Sequence, residues 1–223
     1  MGGDRSPGIT EYLGDFLDGS LEIIVATHPH ADHIGGLIEV LDDFDVDEIW
    51  LNGDTSTSKT YSDFMTRVNA EGAEVEEARI GDTIVAGNLV FDVLYPMEPL
   101  VDDDNSNSIV LRLNYGNTSF LFTGDAEEDF EWRTLVSCVT WDIDILKIAH
   151  HGSSNPLFSG FLSIVRPKVA IYMAGKDNTH GYPHLETIQA LEDIGAEIYG
   201  TDVCGTITVT TDGTDYKVSE CTP

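Results

Sequence analysis

Apolar residues along the chain fall into short runs bounded by turn residues, and the runs switch between the period of a strand and that of a helix. Leu21 to Thr27 is nearly all apolar and predicts a buried strand; Ile9 to Leu17 before it predicts a short helix. Gly36 to Phe44 places Leu37, Ile38 and Leu41 on one face and predicts a helix, and Ser58 to Ala70 predicts a second. Strands are expected at Glu48 to Leu51, within Glu74 to Val85, and at Leu89 to Tyr95, where Pro96 ends the run. After the acidic loop Glu98 to Ser106, strands Ser108 to Asn114 and Ser119 to Phe122 flank the turn Tyr115-Gly116-Asn117. A helix from about Ala126 to Ser137 precedes a strand from Ile143 to Ala149. Asn155 is a fitting N-cap with Pro156 at the first helical position, for a helix reaching about Val165. Strand Val169 to Met173, a loop, helix Leu185 to Ile194, strand Glu197 to Tyr199 and a terminal hairpin complete the chain.

Strands and helices mix throughout, with no repeat or linker, so residues 1–223 read as one layered α/β domain. The polar clusters all fall just after strands, at one edge of the sheets.

Charge changes this picture more than composition does. The chain has 40 acidic and 11 basic residues, a formal charge of −29 spread along its length. Such a surface suits a halophilic protein and offers no basic patch for nucleic-acid binding. No apolar run is long enough to cross a membrane, and no signal peptide is visible. Three cysteines occur without a CxxC pattern. If Asp212-Gly213 forms a two-residue turn, Thr211 pairs with Thr214 and Cys204 falls opposite Cys221, close enough for a disulfide. That bridge would favour an extracytoplasmic, oxidising compartment.

The candidate chemistry starts in Thr27 to Gly36. His28, His30 and His33 are three of only seven histidines in the chain, and Asp32 sits among them. Imidazoles with a carboxylate suit Zn²⁺, Mn²⁺ or Fe. Asp125 follows an apolar strand and a Thr-Gly turn, and His150 and His151 end another strand in the same way. Adjacent residues point apart, so one of that pair is the expected ligand. The metal ligands put forward are His28, His30, Asp32, His33, Asp125 and His150, serving two divalent ions, Zn or Mn, with Asp125 bridging. The catalytic groups put forward are Asp32, His151, His184 and His180. The reaction expected is hydrolysis by a hydroxide activated between two metals.

His28-Pro-His30-Ala-Asp32-His33 resembles the HxHxDH signature of the metallo-β-lactamase superfamily, and Leu121-Phe-Thr-Gly-Asp125 resembles its later aspartate motif. Asn107-Ser-Ile-Val-Leu-Arg-Leu, His150-His-Gly-Ser153, Asn178-x-x-Gly-x-Pro-His184 and Thr201-Asp-x-x-Gly-Thr-Ile narrow the resemblance to the ComEC-like metallo-hydrolase domain. The resemblance implies an αββα four-layer sandwich, a dinuclear site at one edge and phosphodiesterase or nuclease-like hydrolysis. A hydrolase of another ester or lactone, and a metal-binding domain with impaired catalysis, are the alternatives. Three departures from the family stand out. No histidine lies between His33 and His150, so the loop around Asp104, Asn105, Asn107 and Ser108 occupies the place of a third imidazole. One site is then oxygen-rich and suited to Mn²⁺. The family's Gly-His-Pro-His loop reads Gly181-Tyr182-Pro183-His184 here. The sandwich is also expected to lack its leading N-terminal strands, which would leave a sheet edge unpaired.

Overall fold

Parallel strands need a long crossover, and the chain supplies two of them before residue 75. The computed structural model describes residues 8–17, 19–127, 141–154 and 157–219. Helix α1 (Ile9–Gly14) leads into strand β1 (Ser20–Ala26), helix α2 (Ala31–Asp43) and strand β2 (Asp45–Leu51). Helix α3 (Lys59–Glu71) then leads to β3 (Glu74–Glu77), closing a three-stranded parallel sheet in the order β1-β2-β3. Ser58 caps α3 by accepting the Tyr61 N–H. Ile24, Ala26, Val46 and Ile49 pack on Ile34, Val40 and Leu41 of α2 and on Phe64 and Val68 of α3.

The second sheet has seven strands. An antiparallel meander of β4 (Thr83–Ala86), β5 (Leu89–Tyr95), β6 (Val110–Tyr115) and β7 (Thr118–Phe122) comes first. Parallel β8 (Ile145–Lys147), β9 (Val169–Tyr172) and β10 (Glu197–Gly200) extend it. Ile23, Val25 and Trp50 of the first sheet meet Ile84, Phe91, Val93 and Leu111 of the second. Helices α4 (Leu157–Val165) and α5 (Leu185–Asp193) cover the far face, where Phe161, Leu162, Val165 and Leu191 pack on Leu121, Leu146, Ile148 and Ala170. The layers are therefore helix, sheet, sheet, helix, the expected αββα sandwich. Among the described residues no strand pairs with the outer edge of β1.

Two expectations need correction. Helix α2 begins at Ala31, five residues before the predicted start, so Asp32 and His33 ride on its first turn. Gly35 and Gly36 weaken the local helical signal, but Ile34 and Leu41 bury against the sheet and carry the helix through them. The terminal hairpin of β11 (Val209–Thr211) and β12 (Tyr216–Val218) pairs Thr211 with Tyr216 rather than Thr214. Asp212 Oδ1 accepts the N–H groups of Thr214 and Asp215, which stabilises a longer loop than the Asp-Gly pair alone demands. Cys204 lies at the end of the short helix α6 (Thr201–Cys204), so the strand register that aligned it with Cys221 does not form. Cys204 is nonetheless disulfide-bonded. Cys138, Cys221, Asn155, Pro156 and most of the helix expected from Ala126 lie outside the described residues.

Ile49 is fully buried in the middle strand of the first sheet. Ile49→Ala is expected to lower unfolding stability by about 2–5 kcal/mol, read from urea denaturation.

Candidate metal centre

Strand β1 stops at Ala26, and His30 holds an extended conformation as the N-cap of α2. The two sheets are tied beside this turn, because Thr27 C=O accepts the N–H of Ile109 at 2.9 Å. Strand β7 stops at Phe122, and Gly124 turns the chain with a φ of 52°. A Cβ on Gly124 would stand 2.7 Å from Ser108 Cβ, so only glycine allows this turn. Ser108 Oγ accepts the Asp125 N–H at 3.0 Å and stands 3.2 Å from His28 Nδ1. After β8, His150 and His151 both take positive φ, 46° and 56°, which twists their side chains apart.

These turns bring Asp32, His33, Asp125 and His151 together, with one ligand atom of each within 4.8 Å of all the others. Asp125 Oδ2 stands 3.1 Å from His33 Nε2 and 3.4 Å from His151 Nε2. Asp32 Oδ2 is 3.1 Å from His151 Nε2 and 3.9 Å from His33 Nε2. His151 Nδ1–H donates to Met173 C=O at 2.8 Å, which leaves Nε2 as the ring's ligand atom. Lys147 Nζ donates to Gly124 C=O at 2.9 Å and lies 3.8 Å from Asp125 Oδ1.

The four groups present two imidazoles and two carboxylates, a donor set that fits Zn²⁺, Mn²⁺ or Fe. Buried polar atoms make the fit stronger. His28 Nε2, His33 Nε2 and Asp125 Oδ1 are sealed from solvent without hydrogen-bond partners among the described residues. Each such atom costs about 1–3 kcal/mol when unsatisfied, and a divalent cation would satisfy them.

The electrostatics agree. Burial, reinforced by the neighbouring His33, pushes the His28 imidazole down to about 3, so the ring is neutral near pH 7. Hydrogen bonding from His151 holds the Asp32 carboxyl below its usual range, against the opposing effect of burial. Burial pushes Asp125 up, but contacts from His151 and His33 and the Lys147 charge outweigh it and hold it well below the usual range. Burial lowers His151, yet Asp125 and Asp32 more than reverse this and raise it to about 9. Without a cation, a proton on His151 takes its place.

The other residues put forward from sequence lie around this cluster. The His28 ring stands 4.1 Å from that of His33 and 4.7 Å from that of His30. His30 Nε2 is 3.5 Å from Asp104 Oδ2. His150 turns away from the four groups: Nδ1–H donates to Glu127 Oε1 at 2.9 Å, and Nε2 lies 3.2 Å from the Tyr182 hydroxyl. His184 Nδ1 accepts the Ser154 N–H at 2.8 Å, and His180 is exposed and stacked on Tyr182. Asn178 braces this loop by accepting the Tyr182 N–H and donating to the Tyr182 and Gly175 carbonyls. Sequence reasoning missed Glu127 and Lys147. Each is an ordinary charged residue in its own segment, and only its spacing from Asp125 or His151 hinted at a role.

The model of the metallo-beta-lactamase superfamily matches residues 6–176. The chain belongs to that superfamily. Within it, this metallo-β-lactamase domain is similar to ComE operon protein 3 of Bacillus subtilis, 30% identical over 84% of the chain and 24% of that protein. It is also similar to Recombination protein 2 of Haemophilus influenzae, 30% identical over 85% of the chain and 22% of that protein. The domain thus spans about a quarter of the length of these curated relatives. Tm1679, described as a metal-dependent hydrolase of the beta-lactamase superfamily, shares the fold at a TM-score of 0.59 and 11% identity, covering 89% of this chain and 83% of its own. The metallo-β-lactamase fold, the ComEC-like sequence and a candidate metal site together establish a metal-dependent hydrolase fold.

Two outcomes follow for this centre. His151→Ala is expected to lose an ion that His150→Ala retains, read by metal analysis after dialysis; equal retention by both would contradict the arrangement. For metal-free protein, the raised His151 contributes stability fully below pH 6.5 and loses it as pH rises through about 9. The lowered His28 acts in the opposite sense, costing stability as pH falls from 6.5 toward about 3. Thermal melts of chelator-treated protein are expected to peak between these limits, and a melting temperature that climbs from pH 7 to pH 9 would contradict this.

Proposed function

We propose that the protein is a hydrolase with a dinuclear centre acting on phosphodiesters. The observation that carries this reading is the buried, unpartnered His28 Nε2 beside the four-group cluster. With His30 it offers two further imidazoles for a second ion. Asp125 suits a bridge, since His33 and His151 both crowd Oδ2 while Oδ1 has no hydrogen-bond partner among the described residues.

Asp32, His33, Asp125 and His151 would hold one divalent ion and His28 and His30 would help to hold a second, and such ions would supply Lewis acidity and acidify a water for hydrolysis. The chain's own residues arrange the rest. Met173 C=O and Thr27 Oγ1 steady the His151 and His33 rings through their Nδ1 atoms. Asp32 holds the His151 side of the cluster through its carboxylate. Lys147 fixes the Gly124 carbonyl and adds the positive charge nearest Asp125. Tyr182 meets His150 Nε2 through its hydroxyl, and Glu127 in turn fixes His150, so that hydroxyl is positioned beside the centre for a substrate oxygen.

The relative named Recombination protein 2 accords with a nucleic-acid substrate. The charge of −29 instead favours a neutral ester or lactone as the second reading, because a polyanion is repelled at low salt. Zn²⁺- and Mn²⁺-loaded protein should be assayed on bis-p-nitrophenyl phosphate, single-stranded DNA and a lactone, each at low and high salt. Phosphodiester turnover that rises with salt supports the proposal, and turnover of the lactone alone favours the second reading. Asp125→Asn is expected to reduce turnover by at least about 10–100-fold and to lower metal content, since it removes the shared charge. Full activity in that variant would refute the bridging role.

A further inference from the structure

Three atoms around His28 and His30 point to a ligand set that the four-group cluster does not include. His28 Nδ1 is engaged by the Thr27 and Ser108 hydroxyls at 3.2 Å each, so Nε2 lies across the ring from both. That nitrogen is buried without a partner among the described residues, on a side chain only 1% exposed. The His28 and His30 rings are 4.7 Å apart and steeply inclined at 75°, and His30 Nε2 is 3.5 Å from Asp104 Oδ2.

The last distance is informative. An N–H···O hydrogen bond is centred near about 2.9 Å, and 3.5 Å is the very end of its range. Two ligands about 2.1 Å from one tetrahedral ion stand about 3.4 Å apart. The imidazole–carboxylate pairs of the four-group cluster spread around this spacing, from 3.1 to 3.9 Å. His30 and Asp104 are spaced as co-ligands.

The segments on either side of Asp104 are fixed by hydrogen bonds. Asp103 Oδ2 accepts the Ser106 N–H and hydroxyl, and Asn105 C=O accepts the Ser108 N–H at 3.0 Å. Asn107 Nδ2 donates to Asp54 and to Val101 C=O. Asn105 Nδ2 reaches Glu127. The loop carrying Asp104 is therefore wound against Ser108, the residue whose hydroxyl fixes His28.

We propose that Asp104 is the third protein ligand of an ion held by His28 and His30. This rests on the two-ion reading above. It makes the two sites unlike. The site of Asp32, His33, Asp125 and His151 has mostly shielded ligands, whereas His30 and Asp104 are 41% and 40% exposed. The outer ion exchanges with solvent more readily, and its oxygen ligand broadens its tolerance towards Mn²⁺.

Calorimetric titration of metal-free protein with Mn²⁺ or Zn²⁺, with electron paramagnetic resonance of the Mn²⁺ form, tests the assignment without an activity assay. Wild-type protein should bind two ions and give a spin-coupled Mn²⁺ pair. Asp104→Ala should weaken one ion by at least about tenfold, leave the other unchanged and give the spectrum of isolated Mn²⁺. Asp104→His should restore the second ion and shift its preference to Zn²⁺. Asp104→Asn keeps the side-chain volume and should match Asp104→Ala, which guards against a folding defect in the smaller variant. If both Asp104→Ala and Asp104→Asn bind two ions with wild-type constants, Asp104 is a surface ion pair to His30 and the assignment falls. If wild-type protein binds one ion, the two-ion reading falls first and takes the assignment with it.

Discussion

A buried hydroxyl, Ser108 Oγ, joins the two halves of the metal centre. It receives the Asp125 N–H and touches His28 Nδ1, so it links a candidate ligand from the β1 turn to one from the β7 turn. The Thr27 C=O bond to Ile109 N–H lies beside it and fixes the distance between the sheets at that edge. Gly124 must lack a side chain because Ser108 fills the space that a Cβ would take. The loop from Asp103 to Asn107 leads straight into Ser108, so its hydrogen bonds position the metal-facing hydroxyl as well as the loop. Much of the geometry depends on one small polar residue being in place.

The centre also concentrates opposite charges inside a very acidic protein. Asp32 and Asp125 stay ionised although partly or largely buried, and in the metal-free state His151 and Lys147 oppose them. Burial pulls Lys147 down while Asp125 and Asp32 pull it up, and burial prevails. A lysine in that position limits how much cationic charge the centre needs from ions. The surface charge and the centre thus act on a substrate in opposite directions, one at long range and screened by salt, the other at contact.

Much of this arrangement was legible in the sequence. Apolar runs followed by histidine or aspartate placed the strands and put His28, Asp125 and His151 at strand ends. The same runs indicated a layered α/β architecture, and the αββα order came from the resemblance to the metallo-β-lactamase superfamily. Other features depended on tertiary context. Two glycines hid the first turn of α2, although Ile34 and Leu41 carry it by burial. Asp212 looked like half of a tight turn, but its carboxylate caps a longer loop. That His151 rather than His150 faces the cluster goes with two left-handed backbone conformations that residue identity does not signal. Glu127 became significant only when folding placed it against His150.

The centre straddles the two sheets: His28, His30, Asp32 and His33 come from the first, Asp125 and His151 from the second. Neither half holds a complete ligand set. An ion held by both halves would therefore be thermodynamically linked to the docking of one sheet on the other, as an adhesive between them. An ion at a hundred times its dissociation constant adds about 2.7 kcal/mol to the folded state. In a chain whose acidic surface drives its parts apart at low salt, such an ion would bear on how firmly the sandwich is closed as well as on any reaction there.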